Sequence, residues 1–252
     1  MPASYVFINT NPLTNMVLSA GISAADYVNG LEQLPEDIIL LQNNVEAANG
    51  YNSHSRFSMI RGTNEVRRYL LNRNLATKKF IDYRNDDSLN SLMANEIADL
   101  LYLAHMGNPI GRPFSSKLLN QYIYLEQDDG TLRTFYRRFS SFNHILEISI
   151  KRNLRENHNY RRVFLRPLAI TDIDRPILID LITRGNDGLF ILFDSLVERH
   201  KVYQIPLLVP KKPEQASIIL KTNSVTENAE IVGYLMYNIQ TSKWDLKWND
   251  SH

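Results

Sequence analysis

The sequence contains no cysteine among its 252 residues. This absence excludes disulfide bonds, zinc–thiolate sites, iron–sulfur clusters and cysteine nucleophiles, and it fits a reducing compartment. The first 55 residues contain no lysine or arginine, so the basic start of a secretory signal peptide is missing. No apolar run approaches the roughly 20 residues that cross a bilayer. We therefore expect a cytoplasmic protein with no membrane partner.

Sequence motifs of the common enzyme classes are also missing. The chain has no G-x-G-x-x-G, Walker A, G-x-S-x-G or H-E-x-x-H pattern, and its six histidines lack metal-ligand spacing. Asp172, Asp174 and Asp180 could together hold magnesium, but a solvated loop before Pro176 explains them as well. We expect neither a cofactor nor a metal site.

The length and composition predict a globular α+β protein. Hydrophobic residues make up 44% of the chain and charged residues 22%, which allows a substantial core. We expect one domain over residues 1–252, in which antiparallel β-hairpins pack against two or three helices. The expected helices are Leu13–Ser19, Thr63–Arg73, Asp87–His105, Ser141–Asn157 (where a strand is the alternative) and Gly188–His200. The expected strands are Tyr5–Ile8, Asp37–Leu41, Tyr122–Glu126, Thr131–Phe139, Val163–Leu165, Val202–Val209, Ser217–Lys221 and Glu230–Gln240, with Trp244–Trp248 pairing back.

Positive charge is concentrated in one segment, residues 131–170, which we call the basic island. It holds nine basic and two acidic residues, a net charge of 9 − 2 = +7, whereas the whole chain carries +1. Such a concentration is typical of nucleic-acid or other polyanion binding. The arginines that we expect to share one exposed surface are Arg133, Arg137, Arg152, Arg155, Arg161 and Arg162.

Within the basic island, strand alternation places Arg133, Phe135, Arg137 and Phe139 on one face. Aromatic rings on a sheet can stack on unpaired bases, while guanidinium groups neutralise phosphates. In the alternative interpretation, the phenylalanines face the core and the arginines lie at its rim with buried stems.

A short motif follows in the same segment. Residues 152–158 read Arg-Asn-Leu-Arg-Glu-Asn-His, which resembles the motif of HEPN ribonucleases: an arginine, often a polar residue, then a histidine. The resemblance implies metal-independent RNA cleavage by a dimer that joins two motifs in one cleft. It implies that Arg152 holds the phosphate, that His158 acts on the 2′-hydroxyl or the leaving oxygen, and that Asn153 orients them.

Three functions are therefore open. The leading expectation is binding of RNA or single-stranded DNA, or another polyanion, through the basic island. The second is a HEPN-like ribonuclease of the toxin or defence kind, acting as a homodimer. The third is a protein-interaction subunit of a larger complex, whose basic island docks on an acidic protein partner.

Overall fold

A computed structural model describes residues 4–41, 47–74, 77–161, 168–212, 215–222 and 224–249. These residues form strands and helices of the α+β class, as the sequence predicts, and the neighbouring strands run antiparallel. The strands are β1 Tyr5–Asn11, β2 Met16–Ala20, β3 Asp37–Leu40, β4 Gly50–Tyr51, β5 Ser58–Arg61, β6 Lys79–Tyr83, β7 Tyr122–Glu126, β8 Leu132–Tyr136, β9 Leu189–Leu192, β10 Val197–Arg199, β11 Val202–Pro210, β12 Ala229–Asn238 and β13 Lys243–Trp248. The helices are α1 Ala24–Gly30, α2 Thr63–Leu71, α3 Asp86–Asn90, α4 Ala94–Met106, α5 Ser141–Arg161, α6 Arg175–Arg184, α7 Gln215–Thr222 and α8 Val225–Asn228.

The chain divides into two compact units. The first takes in Met1–Thr10, Ser19–Asp26 and Asn143–His252. Its strands lie in the order β13-β12-β11-β9-β1, and β10 pairs with β11. Its core includes the rings of Phe7 and Phe190, whose centroids are 4.6 Å apart on paired strands. The long helix α5 buries Ile145 and Leu154 completely.

The second unit takes in Asn11–Leu18 and Tyr27–Phe142, and its strands lie in the order β2-β8-β7-β6-β3-β5-β4. One part of its core is aromatic: Phe80 and Tyr124 stack at 5.0 Å, and Tyr27 meets Tyr124 edge-on at 4.8 Å. The other part is an apolar cluster that contains Ile81 and Phe135, against which helix α4 packs. The expectation of one domain over the whole chain stays a prediction.

Several predicted elements are confirmed. The β7–β8 hairpin turns through Asp128, Asp129 and Gly130, and Gly130 adopts the positive φ of 79° that this turn requires. The predicted helix over Ser141–Asn157 is α5, and the predicted strand pair at the C-terminal end is β12 with β13. The predicted strand over Val163–Leu165 lies outside the described residues.

Three predicted elements are wrong. The expected helix over Leu13–Ser19 contains most of strand β2, and the expected helix over Gly188–His200 contains strands β9 and β10, which both pair with β11. Strand β9 is fully buried, and such a strand is apolar on both faces, so its pattern resembles that of a buried helix. Conversely, the expected strand over Ser217–Lys221 lies in helix α7, although isoleucine favours strands.

The predicted helix over Asp87–His105 is in fact two helices, α3 and α4. Helix α3 is capped by Asn85, whose side chain accepts from the backbone N–H of Ser88. Helix α4 starts after Met93, whose backbone N–H donates to Glu96 over 2.7 Å. With this break, Met93 and Leu101 lie outside the core and are 64% and 54% exposed.

Candidate functional site

The predicted nucleic-acid-binding face of β8 is largely occupied by the protein itself. Phe135 is 1% exposed and belongs to the apolar core of the second unit, so its ring is not available to stack on a base. Phe139 is half-buried. Arg133 donates from Nη1 to the carbonyl oxygen of Gly107 (2.8 Å) and to Oδ1 of Asn108 (2.7 Å).

Arg137 is bound in a similar way. Its Nε donates to the carbonyl oxygen of Asn120 (2.7 Å), its Nη2 donates to that of Ser115 (3.3 Å), and its guanidinium lies over the ring of Phe114. Both arginines therefore hold backbone carbonyls in the segment that joins α4 to β7. Their donors are directed into the protein rather than towards a phosphate in solvent.

Arg152, the first residue of the ribonuclease-like motif, is paired within the first unit. Its Nε and Nη2 donate to the carboxylate of Asp26 (2.8 and 2.9 Å), Nη2 also donates to the carbonyl oxygen of Gly21, and Nη1 donates to Glu156 (3.2 Å). Asp26 is 1% exposed. Arg152 thus balances the charge of a buried carboxylate. A phosphate could bind the Arg152 guanidinium only by displacing Asp26 from it.

The other two motif residues are buried. Asn153 is fully buried and donates to the carbonyl oxygen of Ser149, one turn earlier in α5. His158 is 6% exposed, and its Nδ1 is hydrogen-bonded to the hydroxyl of Tyr203. Because a helix turns 100° per residue, Arg152 and His158 point about 120° apart. Within one chain, the two side chains contact different partners: Arg152 binds Asp26 and His158 binds Tyr203.

The remaining island residues are dispersed. Arg155 and Arg138 are exposed, and Lys151 contacts the carboxylates of both Glu147 and Asp172. The side chain of Arg161 and the whole of Arg162 lie outside the described residues. In the described part, much of the positive charge is neutralised or bound to backbone, so the geometry gives polyanion binding little support.

Sequence reasoning missed the most distinctive surface, the outer face of helix α4. Its five apolar residues are all exposed and span an arc of about 140° at 100° per residue. These residues are Ala94, Ala98, Leu101, Tyr102 and Met106. Within this arc, His105 is the only titratable residue besides Tyr102, and the exposed Asp99 borders the arc. The signal was present as excess hydrophobicity: the core-facing residues of α4 account for only half of its apolar side chains.

Two cavities lie beside this helix. One, of about 310 Å³, is lined by Ile97 and Leu101 of α4 and by the segment around Phe57. The other, of about 300 Å³, lies between α4 and the loop that contains Ile110, which is 65% exposed. The exposed apolar face is therefore bordered on two sides by space that apolar side chains of a partner could enter. Large exposed apolar surfaces of this kind mark interaction sites.

Both ends of α4 are fastened to the rest of the second unit. At its start, Lys117 donates to Glu96 over 2.6 Å. At its end, Lys79 donates to the carbonyl oxygen of Ala104, and Arg133 donates to that of Gly107. Gly107 takes the left-handed conformation that ends the helix, with a φ of 70°. The exposed face is thus presented on a fixed helix.

Comparison of the chain with family models, curated proteins and solved structures found no match. Among the residues that the structure describes, no helix has the length and apolarity to span a bilayer. The same residues contain no cluster of three metal-ligating side chains. Asp172, one of the candidate magnesium ligands, instead contacts Lys151.

Proposed function

We propose that this protein is a protein-interaction subunit, and that the outer face of helix α4 is its docking surface. The observation that carries the proposal is the exposure of Leu101, Tyr102 and Met106 on one face of a fixed helix. Burying a leucine, methionine or aromatic side chain contributes about 1.5–3 kcal/mol. Few charges would need to be desolvated, because the arc contains no lysine, arginine, aspartate or glutamate and His105 is its one histidine.

The occupant that fits this face is helix α4 of a second copy of the chain, packed antiparallel. With the two-fold axis at the level of Tyr102, Ala98 of one copy and Met106 of the other lie at the same height along the seam. A small residue then faces a large one, which is the self-complementarity that a symmetric dimer requires. The alanines also allow the two helices to approach closely.

The proposed docking surface extends beyond helix α4 itself. A stable interface takes about 800 Å² from each partner, more than one helix face offers. Met93 precedes α4 and Ile110 follows it, and both are exposed by more than 60%. The cavities beside α4 would receive side chains from the rim of the second copy. Together these features give the apolar centre and wider rim of a protein interface.

Sedimentation velocity of the full chain over a range of concentrations tests the proposal. The expected result is a shift from the monomer mass of 29.2 kDa to twice that mass as concentration rises. Leu101→Lys should weaken the dimer by at least about tenfold in Kd, because it places a charge within the apolar seam.

Ile218→Lys is the matched control. Ile218 lies on helix α7 and is 53% exposed, nearly the same as Leu101. This variant introduces the same charge and should dimerise like the wild type. A chain that remains monomeric at every concentration would contradict the proposal, as would equal weakening by both substitutions.

A further inference from the structure

A separate cleft in the second unit is lined entirely by polar side chains. Its volume is about 390 Å³, within the range of small-molecule sites. The lining residues come from the loop after α1, the start of β7, the segment after β8 and the first residue of α5. They are Glu32, Gln33, Gln121, Tyr122, Arg138 and Ser141.

One side of the cleft is positive. Arg138 is exposed, and its guanidinium has no hydrogen-bond or salt-bridge partner among the described residues. Ser141 is the first residue of α5, a helix of 21 residues with no acidic side chain in its first turn. The backbone N–H of Ser141 donates to the carbonyl oxygen of Arg138 (3.0 Å), so this donor at the start of α5 is not free. The Tyr122 hydroxyl adds a further polar group.

The other charge in the cleft is negative. Glu32 is exposed, and among the described residues it forms no salt bridge with Arg138 or any other cation. Both charges nevertheless lie near the phenol of Tyr122: burial raises the pKa of Tyr122 most, Glu32 raises it further, and Arg138 lowers it. A carboxylate and a guanidinium thus line one cleft without neutralising each other.

Two residues that line the cleft, Gln121 and Tyr122, are held in place by Asp82. Asp82 is 8% exposed, and its carboxylate accepts from the backbone N–H groups of Gln121 (2.9 Å) and Tyr122 (2.6 Å). These bonds fix the start of β7, where two of the lining residues lie. A preformed wall lowers the entropy cost of binding a small ligand.

We propose that this cleft binds a free amino acid, with the ligand's carboxylate on Arg138 and its ammonium group on Glu32. A simple anion such as phosphate would be repelled by Glu32, and a neutral sugar would leave both charges unpaired. A zwitterion satisfies both at once, while Gln33 and Gln121 offer amide donors and acceptors to the rest of the ligand.

Thermal unfolding of the full chain in the presence of each proteinogenic L-amino acid, at millimolar concentration, tests this site. At least one amino acid should raise Tm by about 2–4 °C, since a ligand that binds only the folded state stabilises it. Its N-acetylated form, which lacks the ammonium group, should raise Tm much less. The absence of a rise with any amino acid overturns the proposal, as does an equal rise with the acetylated form.

Two variants of the cleft sharpen the test. Arg138→Gln and Glu32→Gln should each abolish the ligand-induced rise in Tm. For each variant, the rise is the Tm with the amino acid minus the Tm without it, so a change in the variant's own stability does not affect the comparison. Arg155→Gln and Glu227→Gln remove exposed charges of the first unit and should leave the rise unchanged. Retention of the full rise in both cleft variants would contradict the assignment, whether or not the chain dimerises through α4.

Discussion

Arg133 on strand β8 donates to the carbonyl oxygen of Gly107, 26 residues earlier in the chain, over 2.8 Å. Gly107 ends helix α4, so this bond fastens the helix end to the sheet. A cation at this end also interacts favourably with the helix dipole. An arginine that the sequence indicated as a phosphate ligand thus holds the helix that we propose as a docking surface.

Arg133→Met should destabilise the protein by about 1.5–3 kcal/mol, because a charge-assisted pair of hydrogen bonds is lost and the Gly107 carbonyl loses its partner. Urea unfolding measures this difference. Arg138→Met is the control, since Arg138 is exposed and should change the free energy of unfolding by less than about 0.5 kcal/mol. Equal free energies of unfolding for the two variants would show that the hydrogen bonds of Arg133 do not stabilise the protein.

Arg152→Ala should reduce stability by about 3 kcal/mol, because it leaves the carboxylate of Asp26 buried without its cation. Arg155→Ala, three residues later on the exposed side of α5, should change it little. Urea unfolding of both variants checks this. A stable, fully folded Arg152→Ala variant that had lost RNA cleavage would instead favour the ribonuclease interpretation of the motif.

Stability should depend on pH through Asp82. Burial, opposed by the hydrogen bonds from Gln121 and Tyr122 and by the charge of Arg137, raises the pKa of Asp82 from 3.8 to about 6. The folded state therefore favours the protonated acid. The resulting stabilisation is fully present below the unfolded pKa of 3.8 and is lost as pH rises through about 6.

Asp82→Asn removes this dependence. The free energy of unfolding of the variant minus that of the wild type should rise by about 2–3 kcal/mol between about pH 4 and pH 7.5. Urea unfolding at the two pH values measures this. Asp180→Asn, at an exposed position on α6, should show no such rise, and a flat difference for Asp82→Asn would contradict the assigned pKa.

The sequence predicted those parts of the fold in which local signals agree. The β7–β8 hairpin has alternating strands and a turn with Gly130, and the length of the Ser141–Asn157 run favoured the helix α5 over the alternative strand. The strand β9 was missed because burial on both faces removes the alternation that identifies a strand. The break between α3 and α4 was missed because the apolar spacing continues across it from Leu89 to Ile97.

The proposed docking surface was harder to predict for a related reason. Periodicity identifies a helix, but it does not show which apolar face of the helix packs against the core. Helix α4 has apolar residues on its core-facing side and on its exposed side. Some hydrogen-bond and salt-bridge partners of the basic island are also remote in sequence: Asp26 lies 126 residues from Arg152. Such pairings depend on tertiary structure, so net charge along the chain overestimates the positive charge that is free at the surface.

The measurement that tests the pairing of helix α4 between two copies most directly uses the absence of cysteine from the chain. Tyr102→Cys introduces a single thiol at the level of the proposed two-fold axis, and Ile218→Cys introduces one on an exposed position of α7. A short bis-maleimide reagent should convert most of the Tyr102→Cys protein to a covalent dimer and leave Ile218→Cys monomeric. Equal, low cross-linking of the two variants would contradict antiparallel pairing of α4.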